Sequence, residues 1–251
     1  MFNRSLVLLF FILTKSLQAT TENKTEALQL VSPYLLPHHH PVKSKLDCIF
    51  KQSRVLLSIQ SMKKAGFTPV EPRKFTRLIV TSHPQLTGYI LKVYLDSQRN
   101  HKDRPEYVCW AKRVEGAQLI QKIINENGWN HLFKVPKQWI YALPSKPTAP
   151  KDFNSRNFVL VEENMGLLSA RENKKMWASG KITKELLSAL FAILAQVGLR
   201  DCCKIDNIPF SSDGRIAFID TQTFNEGIPP YRRLTSSLRK DLREYWKSLK
   251  P

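Results

Sequence analysis

Apolar residues recur at helical spacing between positions 46 and 65, through Leu46, Ile49, Leu56, Ile59 and Met62. Gly66 closes that run, so the pattern predicts a helix. From Phe75 the runs shorten: Leu78 to Val80, a turn carrying His83, Pro84 and Gly88, then Tyr89 to Leu95. This predicts a β-hairpin. Glu106 to Asn127 places Trp110, Val114, Ala117, Ile120 and Ile124 on one face and stops at Gly128, a second helix. Strands are expected at 138–143 and 158–162, on either side of a proline-rich loop. In the second half Thr183 can cap a helix to Leu199, with Leu186, Leu187, Leu190, Ile193, Leu194 and Val197 as its buried face and Gly198 near its end. Asn207 to Phe210 and Arg215 to Ile219 then read as a small hairpin turned by Asp213 and Gly214. A basic amphipathic helix is expected from Ser236 to Leu249. The fold class is α+β, mostly sheet crossed by one helix and then mostly helix.

The first residues change the setting. Arg4, the apolar run Leu6 to Leu13 and a polar stretch ending at Ala19 have the layout of a secretory signal peptide, which places the mature start near Thr20 and the product in a secreted or periplasmic location. The apolar run is far shorter than the roughly 20 residues a membrane span needs, although an uncleaved anchor is the competing reading. Residues 20–42, rich in proline and with three adjacent histidines (His38, His39, His40), are expected to form an extended lead-in. Those histidines suit a solvated loop better than a metal site.

Lysine and arginine exceed aspartate and glutamate by 18 over the whole chain, and by 16 once residues 1–19 are removed. The excess is spread along the sequence. It favours anionic partners, whether a nucleotide, an acidic protein or a membrane surface, and no specific nucleic-acid motif accompanies it. Four cysteines are too few for a disulfide scaffold and match no zinc spacing. Export would permit Cys48 and Cys109 to pair.

The order of elements, and residues at several points along it, resemble the protein kinase and aminoglycoside phosphotransferase superfamily over roughly 75–225. Lys92, in Tyr89-Ile90-Leu91-Lys92-Val93-Tyr94, is similar to the strand lysine that holds nucleotide phosphates. The same lysine would also suit the solvent face of an alternating strand. Glu115 on the following helix is the glutamate the resemblance assigns to fix it. Phe158 to Val161, followed by Glu162, Glu163, Asn164 and Met165, resembles the hinge whose backbone meets adenine, with Glu162 and Asn164 as candidate binders. Arg200-Asp201-Cys202-Cys203-Lys204-Ile205-Asp206-Asn207 resembles a catalytic loop, and Ile216-Ala217-Phe218-Ile219-Asp220 the strand that ends in a metal-binding aspartate.

Asn207 and Asp220 stand thirteen residues apart, as that family's magnesium ligands do. The resemblance therefore implies ATP and Mg²⁺, with Asn207 and Asp220 on the metal, Lys204 on phosphate and Asp201 as the proton acceptor if the loop carries one extra residue. It implies a small two-lobed kinase-like fold, with an N-terminal sheet-and-helix lobe over 43–165 and a shortened, mainly helical lobe over 166–251. Three departures count against catalysis. Cys202 occupies the place of the base, no glycine-rich loop precedes Lys92, and only about 30 residues follow Asp220. Two readings follow: an exported, degenerate kinase-like nucleotide binder that retains possible phosphotransferase activity, or a secreted basic binding module for an anionic or protein partner without catalysis.

Overall fold

The computed structural model describes residues 25–70, 77–99 and 104–249. The expected signal peptide, 1–19, lies outside them. The architecture is α+β and centres on a five-stranded antiparallel sheet in the order β1-β2-β3-β6-β5. Its strands are β1 (Thr68–Pro69), β2 (Ile79–Ser82), β3 (Tyr89–Val93), β5 (Gln138–Ala142) and β6 (Phe158–Glu163). β2 and β3 form the expected hairpin, with Val80 opposite Lys92. Period-two alternation divides the sheet's faces. Ile79, Leu91, Val93, Tyr141, Val159 and Val161 pack with α2 (Lys43–Gln52) and α3 (Ile59–Lys64). Ile140, Phe158 and Leu160 pack on the other face against Trp110 and Val114 of α4 (Glu106–Glu126).

The single helix expected over 46–65 is two helices with a 3-10 turn between them, because Ser53 and Ser58 adopt extended backbone and the Ser58 hydroxyl caps α3 by accepting from the Ser61 N–H. Residues 25–31 form a helix (α1), and Ser32–Tyr34 a 3-10 turn, where an extended lead-in was expected. The cause is apolar: Ala27 and Val31, four apart, are buried in the cluster that contains Trp110 and Tyr94.

α4 runs from the sheet into a second core. Its later residues Ala117, Ile120 and Ile124 join Phe133, Trp177 and the buried face of α6 (Lys184–Val197). α6 begins as expected at Thr183, whose side chain accepts from the Leu186 N–H, and ends at Gly198 with φ +66°. Two short helices, α7 (Arg232–Thr235) and α8 (Lys240–Ser248), close this half, so the single helix expected from Ser236 starts later. The small hairpin turned at Asp213 and Gly214 is present: the Ser211 N–H donates to Arg215 O at 2.9 Å, the Ala217 N–H to Pro209 O at 2.8 Å and the Ile219 N–H to Asn207 O at 3.1 Å. Its second arm, β7 (Ile216–Ala217), also pairs in parallel with β4 (Phe133–Lys134), a contact that was not expected. All four cysteines are free thiols. No helix among the described residues is long and apolar enough to cross a membrane.

Candidate functional site

Lys92 stands in the middle of β3 and is 4% exposed. It faces α4 and not solvent. Its Nζ lies 2.7 Å from Glu162 Oε2 and donates to the Ile219 carbonyl at 2.6 Å. Lys92 is opposite Leu160, so Glu162 is its diagonal neighbour on β6, two residues further along the same face. Glu162 is itself buried and accepts a second hydrogen bond from Gln138 Nε2 at 2.7 Å. The carboxylate that fixes Lys92 is thus on the neighbouring strand. Glu115, expected in that role, is solvent-exposed on α4, because its position falls outside the helix's buried stripe.

The second ion pair links α4 to the segment after β7. Arg113 is buried and its Nη1 donates to Asp220 Oδ1 at 2.9 Å. Burial opposes the Arg113 charge, but Asp220 beside it, together with Tyr94 and Glu162, holds its pKa above the ordinary arginine value. The Thr221 hydroxyl donates to the Arg113 carbonyl at 2.6 Å. Gly116 makes this approach feasible, since a Cβ there would lie 2.0 Å from the Thr221 carbonyl oxygen. Two cations and two carboxylates therefore balance inside one cluster. Two polar atoms in it, Arg113 Nε and Gln138 Oε1, are buried without a hydrogen-bond partner.

The loop resembling a catalytic loop lies against the same segment. Asp201–Cys203 form one 3-10 turn. The Cys202 thiol donates to the Asp220 carbonyl at 3.0 Å. Burial first, then the Asp220 charge, push that thiol well above its usual value, so Cys202 is a hydrogen-bond donor and no base. Asp201 is partly exposed, and its carboxylate lies 3.8 Å from the Lys204 ammonium. The Asn207 side-chain N–H donates to the Asp201 carbonyl at 2.9 Å, and the Ile219 N–H to the Asn207 carbonyl at 3.1 Å. Lys92, Glu162, Asp201, Asn207 and Asp220 are thus brought together, and Lys204 flanks them in solvent.

The hinge-like segment is differently engaged. The Glu163 N–H donates to Lys137 O and the Asn164 N–H to Gly88 O. Asn164 Oδ1 accepts from the Gly166 N–H, and Met165 O accepts from Lys134 Nζ. The Glu163 and Asn164 N–H groups and the Met165 carbonyl are thus engaged within the chain, and the Glu162 side chain serves Lys92.

A magnesium nucleotide fits this arrangement poorly. Mg²⁺ takes open, anionic oxygens, yet Asp220 already neutralises a buried guanidinium. Among the described residues no group of three or more histidine, cysteine, aspartate or glutamate side chains is placed to hold a metal ion. Sequence reasoning missed Arg113 and Gln138. Arg113 left a trace, a cation three positions after Trp110 on an otherwise apolar helix face. No protein-family model and no curated protein matches the chain.

Proposed function

We propose that this chain is an exported kinase-like protein that has given up phosphoryl transfer and acts as a basic binding module for an acidic protein partner. The observation that carries the reading is two ion pairs, the buried Lys92 with the buried Glu162, and the buried Arg113 with Asp220, whose side chain is 25% exposed. Asp220, the carboxylate the resemblance assigns to the metal, is committed to Arg113. Lys92 is sealed between a strand glutamate and the Ile219 carbonyl, whereas the kinase arrangement pairs its lysine with a helix glutamate and leaves it facing the phosphates. Removing one partner of a fully buried pair costs about 3–5 kcal/mol, so a nucleotide that drew Lys92 away from Glu162 would have to compensate a buried charge. Cys202 offers no base, and the carboxylates left in the loop are Asp201, partly exposed beside Lys204, and the exposed Asp206.

The basic excess supports the binding half of the proposal, since a surface with a net +16 after residues 1–19 attracts acidic partners at long range. The test is release of labelled phosphate from ATP with Mg²⁺, in the presence and absence of acidic protein acceptors. No release above the buffer rate is expected. Turnover by the wild type that disappears in Asp220→Ala would overturn the reading.

A further inference from the structure

α6, α7 and α8, with Pro229 and Pro230, line an open pocket of about 360 Å³ whose wall includes three aromatic rings. Phe191 stacks on Tyr231 at 4.7 Å between ring centroids, and Trp246 meets Phe191 edge-on at 5.9 Å. The wall is fixed by the Trp246 Nε1–H, which donates to the Tyr231 carbonyl at 2.9 Å. Arg232 and Arg233 stand exposed at its mouth. Neither guanidinium has a carboxylate partner among the described residues. Lys247, the third cation at the mouth, is held by Glu244 at 2.7 Å. None of the residues lining the cavity is acidic.

We infer that this cavity docks a short acidic peptide segment, seating one large apolar side chain against the three rings while flanking carboxylates meet Arg232 and Arg233. The inference rests on the binding-module reading and gives it a location. A pocket lined by aromatic rings with a few polar groups at its edge is the ordinary form of a specific ligand site, and aromatic and arginine side chains dominate interface energetics. The concavity argues against a membrane, because a flat anionic surface would reach the arginines without filling the space between the rings. A bare phosphate would likewise leave that wall unused.

The test is fluorescence anisotropy with the full chain at physiological salt. The probe is a labelled peptide carrying one phenylalanine between pairs of glutamates. Saturable binding is expected. Replacing the peptide's phenylalanine by serine, or making Arg232→Glu with Arg233→Glu in the protein, should each weaken it about tenfold or more. Reversing Lys174 and Lys175, both exposed on α5 (Ala170–Trp177), changes net charge equally and should alter affinity less than about twofold. An unchanged melting temperature in both double variants confirms that they remain folded. The inference fails if the serine peptide binds as well, if the Lys174 and Lys175 reversal is as damaging, or if no saturable binding occurs. It also fails if vesicles of phosphatidylserine bind through Arg232 and Arg233 while the peptide does not. ATP turnover would sink the non-catalytic reading and leave this pocket standing, whereas absent peptide binding without turnover sinks the pocket alone.

Discussion

Lys92 lies on the sheet face that α4 covers, and its ammonium is sealed between Glu162 and the Ile219 carbonyl. Removing only one partner of such a pair strands a buried charge. Lys92→Met should lose about 3–5 kcal/mol in urea unfolding, and adding Glu162→Gln should restore at least half of it; a loss below about 1 kcal/mol in the single variant would mean the pair is solvated. Asp220→Asn discriminates further. An aspartate kept for a metal carries a stability penalty that its neutralisation relieves, whereas here the change removes the ion-pair partner of the buried Arg113 and should destabilise by about 3 kcal/mol.

Glu106 gives a pH test on a separate cluster. Burial pushes its carboxyl up to about 7, against the pull of the Arg156 guanidinium and the Trp110 N–H. The folded state then holds more protons than the unfolded one between about pH 4.5 and 7, so this group makes stability fall as pH rises through that window and level off above it. The effect is worth about 3 kcal/mol, and Glu106→Gln should flatten the decline between about pH 5 and about pH 8. An unaltered slope would contradict it. At this scale the sequence picked out Lys92 and Asp220 but not their partners. A diagonal neighbour depends on strand register, which links Lys92 to Glu162 across 70 positions of chain.

The elements were legible where one face of the chain is apolar at a constant period. β2, β3, β5, β6, α4 and α6 all fall within a few residues of expectation. The misses have separate causes. α5 buries only Asn173 and Trp177, so it shows almost no apolar stripe, although its capping box of Ser169 and Glu172 was readable. α1 was hidden by the proline and histidine content that follows it. The parallel pairing of β7 with β4 is a long-range contact between two-residue strands, which no local pattern encodes. One element contact can be tested directly. Gly116 lets α4 touch the backbone at Thr221, so Gly116→Ala, an improvement in helix propensity alone, should instead destabilise by about 3 kcal/mol because a Cβ at 2.0 Å from a backbone oxygen forces the two segments apart. A variant as stable as wild type would show that α4 and the Asp220 segment are not closely packed.

For the whole molecule the ion pairs and the surface charge point the same way. Lys92 is turned inward and paired, and Asp220 is engaged by a buried guanidinium, while an excess of lysine and arginine is spread along the chain. Binding to acidic partners should weaken steeply between low and physiological salt, since exposed charges act through a screened field. The most direct measurement is a thermal melt with increasing Mg-ATP up to millimolar concentration. A ligand that binds only the native state raises its melting temperature by mass action. The account predicts no shift in the wild type, because Lys92 and Asp220 are held by Glu162 and Arg113. A saturable rise that vanishes in Asp220→Ala would contradict it.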